Sequence, residues 1–241
     1  MKIIADLHTH TVASGHAYST VNEMAQEACR KGLQALALTD HGPALPGGPH
    51  LYHFGAMRFI PAWIAGVRIL RGVEANIIDR EGSLDMPDSY LARLDFAMAA
   101  FHEDCGFNDQ GIDNNTEAVL RAMRNPRINA IAHSGNPAFP VHLEKLVQGA
   151  VETGTALEIN NSSFALSRSG SRPYCEQLAL LIARAGAMVV VGSDAHIAQG
   201  VGEFGNALAV LEKAGIRGEQ VANSSYKRLM AFLGLEEAPE R

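Results

Sequence analysis

The chain has 241 residues, 47% hydrophobic and 19% charged, which suits one large domain and supplies a substantial core. Its 26 acidic residues outnumber 20 basic ones, for a formal charge of -6, and no basic run appears, so neither a nucleic-acid track nor an anionic membrane surface is expected as partner. Cys29, Cys105 and Cys175 are too few and scattered for a disulfide framework, the opening lacks a secretory signal pattern, and apolar runs such as Ala187 to Val191 are too short to cross a bilayer, so a reducing cytoplasm is the expected location.

In chain order, the apolar opening Ile3-Ile4-Ala5 leads into "DLHTH" at positions 6 to 10. As a strand, this stretch puts Asp6, His8 and His10 on one face and Leu7 and Thr9 on the other, and two imidazoles at i and i+2 can chelate one metal ion. His16 follows in the loop Ala13-Ser14-Gly15-His16. Thr20-x-x-Glu23 reads as a capping box opening a helix that Gly32 closes, and Leu36 to Thr39 follows as a strand ending in Asp40-His41. The Gly/Pro-rich "HGPALPGGPHLYHF" then forms a long loop carrying His50 and His53. Strands are predicted at 67–73, 96–101, 128–132, 156–159 and 188–191, and helices at 116–123, 143–152, 174–185 and 206–213. Glu74, His102 and His133 stand just past three of these strands, and Asp194 and His196 just past the last. His142, at a helix start, reads as surface.

Near-continuous apolar strands separated by amphipathic helices predict an α/β fold with a parallel sheet covered on its outer face. Seven such units predict a closed or nearly closed barrel spanning 1–241 as one domain. Six of the seven strands end in a His, Asp or Glu, and barrel enzymes build their chemistry at the C-terminal ends of their strands. His8, His10, His16, His41, Glu74, His102, His133, Asp194 and His196 make nine candidate ligands. A mononuclear catalytic zinc uses about three protein ligands, so nine fit about three divalent ions with one carboxylate bridging two. The competing reading is a set of satisfied polar groups at strand ends. Cys105, three residues after His102, is left without a place in that set.

The motifs "DLHTH", "TDHG", "GVEAN", "FHE", "AHSGNP", "EINNSS" and "GSDAH" resemble the PHP (polymerase and histidinol phosphatase) superfamily, most of all its YcdX-type phosphatases. The resemblance implies a distorted (βα)7 TIM-like barrel with a trinuclear centre, zinc in the best-described case, although manganese or iron suits the same nitrogen and oxygen ligands. By resemblance, His8, His10, Glu74 and Asp194 hold the first ion. Glu74, His102 and His133 hold the second, with Glu74 as the bridge, and His16, His41 and His196 the third. Ser134 departs from the family's pattern, where a proline is expected, which bears on the loop shape and not on the ligand. A homo-oligomer, with a trimer as one form, is implied in the same way.

Clustered cations share a water, lower its pKa and hold the resulting hydroxide against phosphorus, so hydrolysis of a small phosphomonoester without a phosphoenzyme is the expected reaction, with Glu74 and Asp194 as the carboxylates at its centre. Arg168 and Arg172 in "SRSGSRP" are candidate clamps for phosphate oxygens, the alternative being two solvated loop arginines. Asp6 and Asp40, beside ligand positions, are read as acceptors for ligand imidazoles. Glu158, on the strand without a ligand, has an inward-facing core role or a substrate role open to it and is left unassigned.

Three other readings compete. A binuclear amidohydrolase carries a bridging lysine at the end of its fourth strand, where this chain reads "AAFHED". A phosphodiesterase or exonuclease of the same superfamily needs a basic track, and a non-enzymatic PHP module has a site with ligands missing.

Overall fold

Among the residues described by the computed structural model, 1–165 and 167–237, seven short strands run parallel in chain order, each hydrogen-bonded to the one before. They are β1 (Ala5–Asp6), β2 (Ala35–Leu38), β4 (Val67–Asn76), β5 (Phe96–Ala100), β6 (Ala130–Ile131), β7 (Ala156–Asn160) and β8 (Val189–Gly192). An added strand, β3 (Trp63–Ile64), pairs antiparallel with β4 through Ala65-Gly66. Both of these turn residues have positive φ, 50° and 80°, the backbone that a two-residue hairpin turn demands. The sequence pattern did not predict this hairpin, because Ala is a rare occupant of that position.

The barrel closes between its first and last strands without a regular ladder. The Asp194 N–H donates to the His8 carbonyl and the His10 N–H to the Ala195 carbonyl, both at 2.9 Å. Lower down, one side chain does the sewing: Asn223 Nδ2 donates to the carbonyls of Ala5 and Val191 at 2.8 Å each, while its Oδ1 accepts from the Val191 N–H at 3.1 Å. The buried side-chain amide thus meets three backbone groups, and the Asn223 main-chain carbonyl accepts the Ile4 N–H as a fourth, so the gap leaves little unsatisfied.

Strand alternation sorts the core into two layers. Leu36, Leu38, Ile69, Val73, Leu157, Ile159, Val189 and Val191 point outward against α1 (Val21–Arg30), α4 (Ile112–Ala122), α5 (Leu143–Thr153), α6 (Arg172–Ala185) and α7 (Gly205–Ala214). Ala5, Leu7, Ala35, Ala37, Leu70, Phe96, Met98, Ala130 and Val190 point inward, and Leu229 and Met230 of α8 (Tyr226–Leu233) join them as the floor. The Thr20–Glu23 capping box forms as predicted.

Several boundaries differ from those predicted. β4 continues three residues past Val73, because Glu74, Ala75 and Asn76 keep pairing with Met98, Ala99 and Ala100, so Glu74 lies within a strand and not after one. α4 begins at Ile112, the short helix α2 (Leu51–Ala56) starts within the stretch read as a long loop, and α3 (Asp88–Leu91) lies where no element was predicted. No helix among the described residues is long and apolar enough to cross a membrane.

Candidate metal centre

The polar cluster sits inside the upper end of the barrel, where inward alternation runs out of apolar residues. On β4 the inward series reaches Glu74 and Asn76; on β7 it reads Ala156, Glu158, Asn160. β1 pairs only through Asp6, after which Leu7 and His8 both turn inward. Asp6 therefore does not share the histidines' face. Its carboxylate accepts the backbone N–H groups of His8, Ser193 and Gly202, and touches no imidazole. β8 ends at Gly192, where any side chain would run into His8 and the Glu158 carboxylate. Two of the assembled residues, His133 (φ 30°) and Asp194 (φ 59°), have left-handed backbones, as does Arg168 (φ 54°). Such strain persists only where the surroundings enforce it, and it gathers at this mouth.

All nine candidate ligands are brought together. Glu74 is the hub: its Oε2 lies 2.9 Å from His41 Nδ1, 3.2 Å from His8 Nε2 and 3.6 Å from His10 Nε2, and its Oε1 lies 2.7 Å from His133 Nε2 and 3.3 Å from His102 Nε2. Asp194 Oδ1 is 3.3 Å from His10 Nε2, and His16 Nε2 meets His196 Nε2 at 3.0 Å. Three groups are tight enough to hold an ion: His8, His10 and Asp194; His41, Glu74 and His102; and His10, His41 and His196. The first contains three of the four residues expected for one ion. The second has His41 where His133 was expected, and the third has His10 where His16 was, so the nine form one continuous cluster.

Donor chemistry tests whether a cation fits. Glu74 Oε2, Asp194 Oδ1, His41 Nδ1 and His102 Nε2 are buried and make no aligned hydrogen bond. A buried polar atom left in that state costs about 1–3 kcal/mol, and four converge here. His102 Nδ1 lies 2.7 Å from Asn76 Oδ1, and Asn76 is fixed as the acceptor because its amide nitrogen donates to the Gly42 carbonyl and to Asp85. His102 therefore carries its proton on Nδ1, and its bare Nε2 faces a carboxylate oxygen. Two electron-rich atoms at such distance need a cation between them. The residues present fit divalent ions.

The electrostatics agree. Burial pulls His8 down, but Glu158, Glu74 and Asp194 outweigh it and hold its pKa well above the usual histidine value. Burial pushes Glu74 up, yet His8, His102 and His41 hold it well below the carboxylate range, and His8 and Arg168 do the same for Asp194. Burial and the neighbouring His41 bring His10 down to about 3, and burial with Arg168 brings His133 down to about 4. His8, so raised, keeps both ring protons, one of which an ion would displace, whereas neutral His10 and His133 beside ionised Glu74 and Asp194 already have the protonation states that ligation requires.

Above the cluster opens a cleft of about 470 Å3, lined by His16, His41, His102 and Arg168 among others. Arg168 Nη1 donates to Asp194 Oδ2 at 2.9 Å and to Ser167 Oγ at 2.8 Å. Arg172 is not brought to the cleft. It stands at the start of α6, half exposed, over the Phe164 ring and near Glu176, because the chain turns outward into the helix after Ser171. Asp40 accepts from the Thr11 N–H, Thr11 Oγ1 and Ser14 Oγ, so its link to a ligand runs through Ser14, whose Oγ lies 3.3 Å from His10 Nδ1. His50 caps α2, and His53 Nε2 lies 3.3 Å from Asp40 Oδ2. His142 pairs with Asp113 at 2.9 Å away from the cluster. Sequence reasoning missed Asn76 and Ser14 as partners and named Glu158 without giving it a role. Inward alternation signals Asn76 and Glu158, while nothing local marks Ser14.

Curated relatives align over nearly the whole chain. A "probable phosphatase" of Acetivibrio thermocellus is 49% identical over 97% of this chain and 96% of its own, and one from Syntrophotalea carbinolica is 49% identical over 98% of both. In fold, the chain is similar to the crystal structure of histidinol phosphate phosphatase from Lactococcus lactis complexed with zinc, L-histidinol and phosphate, with a TM-score of 0.63, 19% identity and coverage of 88% of this chain and 94% of that one. Residues 6–144, which carry seven of the nine clustered side chains, match the family model of the PHP domain, and with relatives this similar along its length the chain belongs to the PHP family.

Proposed function

We propose that this protein is a metal-dependent phosphatase acting on small phosphomonoesters, with three divalent ions, zinc foremost, held by His8, His10, His16, His41, Glu74, His102, His133, Asp194 and His196. The observation that carries the reading is the convergence of four buried, unbonded ligand atoms, Glu74 Oε2, Asp194 Oδ1, His41 Nδ1 and His102 Nε2, beneath an open cleft. The names of the relatives and the phosphate complex of the fold neighbour support the choice of reaction.

When bound, the ions supply the positive charge that acidifies a water nucleophile and grips a phosphate dianion. The chain's own residues do the rest. Glu74 sets the spacing of the centre, because both its oxygens lie among imidazoles from four different segments. Arg168 is anchored through Nη1, so among the described contacts its Nε and Nη2 remain to donate to phosphate oxygens. A cleft of this size admits a phosphate and a modest alcohol and excludes a polymer from the floor. A covalent cysteine route is disfavoured: burial and nearby Asp85 push the Cys105 thiol up to about 12, and burial and Glu158 do the same to Cys175. All three cysteines are free, in keeping with a reducing cytoplasm.

The test is metal content and substrate class on one sample. Protein purified without chelator should approach three ions per chain and hydrolyse p-nitrophenyl phosphate far faster than oligonucleotide diesters. A firm value of one ion, or exonuclease activity without monoesterase activity, overturns the reading.

A further inference from the structure

Glu158 lies on β7, the strand that contributes no candidate ligand, and is 2% exposed. Its Oε1 lies 2.8 Å from His8 Nδ1, while its Oε2 accepts the His133 backbone N–H at 2.9 Å and the Asn160 amide at 3.3 Å. One carboxylate thus grips two candidate ligands from opposite sides of the barrel mouth, one by its ring and one by its backbone. The neighbouring strand makes room for it: at Gly192 a side chain would collide with both Glu158 and His8.

We infer that Glu158 is a positioning residue of the metal centre, holding His8 as the tautomer protonated on Nδ1 so that Nε2 presents its lone pair to the ion, and at the same time fixing the left-handed His133 backbone. The inference rests on the metal-centre reading above. Its chemistry follows from donor counting. The His133 N–H is a fixed donor, and a carboxylate, which accepts through both oxygens, makes His8 Nδ1 the donor on the other side. A glutamine fails in either orientation. With its oxygen on His8, its NH2 meets the His133 N–H, donor against donor. Flipped, its NH2 meets His8 Nδ1 and drives the proton to Nε2, where it blocks ligation. A carboxylate behind the ring also makes the imidazole a stronger ligand, and loss of such a partner typically weakens metal binding about 10–100-fold.

The experiment compares wild-type protein and Glu158→Gln, both stripped with chelator, in zinc titrations against a chromophoric competitor, with melting of the stripped proteins as a check on folding. At least one zinc step should weaken about 10–100-fold in the variant, while the two stripped proteins melt within a few degrees of each other. Superimposable zinc titrations overturn the inference and leave the metal centre standing. No zinc uptake by the wild type overturns the metal centre itself, and the inference with it. Should the variant not fold, imidazole 15N spectra of the zinc-loaded wild type decide: His8 protonated on Nδ1 supports the assignment, and His8 protonated on Nε2 refutes it.

Discussion

The floor and the rim of the barrel interior are built from one ring of strands, Leu70 and Glu74 lying four residues apart on β4, yet they are opposites in physical chemistry. Leu70, Phe96, Met98 and Val190 at the floor and His8, His10, Glu74 and Asn160 at the rim are all essentially inaccessible to solvent. At the floor burial is the source of stability, roughly 25 cal/mol per Å2 of apolar surface. At the rim burial is a cost, because carboxylates and imidazoles lose their water and four ligand atoms gain no hydrogen bond. The left-handed residues His133, Arg168 and Asp194 are at the rim as well. The floor and the outer helices hold a rim that would not hold itself, and the unmet polar demand there is what a cation can satisfy.

The largest expected effect comes from breaking the floor. Phe96→Ala should cost about 3–5 kcal/mol of stability, read by denaturant melts, while the folded fraction keeps its full metal content. A fall in metal stoichiometry per folded chain would show that floor and rim are not separable.

Breaking the hub of the rim should do the reverse. Glu74→Gln removes the charge and keeps the shape, so kcat should fall at least about a hundredfold, the scale of lost transition-state electrostatics, with weaker metal binding and a chelator-treated melting point no lower than that of the wild type. Turnover and metal content like those of a surface variant would show that Glu74 does not hold the ions.

A smaller effect sharpens the line between rim and exterior. Arg168→Lys should raise KM about tenfold for a phosphomonoester, because a point charge replaces a planar fork, worth about 1.4 kcal/mol. Arg172→Lys should leave kinetics unchanged. Equal effects at the two positions would contradict the geometry, which places one in the cleft and the other over Phe164.

Smallest of all is His142→Ala. Its ring pairs with exposed Asp113, so stability should shift by no more than about 0.5 kcal/mol and activity should stay at the wild-type level. Loss of activity would mean that the functional cluster extends beyond the barrel mouth.

The sequence by itself determined the α/β barrel and its candidate ligands. Repeated apolar strands alternating with amphipathic helices allow few other architectures, and ionisable residues recurring at strand ends carry a signal that adds up across the chain. Tertiary structure alone decided how those residues are shared and supported. His41 and His10 join groups other than those the family resemblance implied, because ring positions depend on where separate strands meet. Arg168 and Arg172, four residues apart, diverge because a helix starts between cleft and exterior. Asp6 turns away from the histidines because β1 ends there and its carboxylate finds three backbone donors. The partners that orient the ligands, Asn76 on His102 and Glu158 on His8, lie 26 and 150 residues from them in the chain. Hydrogen bonds depend on distance in space, and closing the barrel is what turns those separations into 2.7 and 2.8 Å.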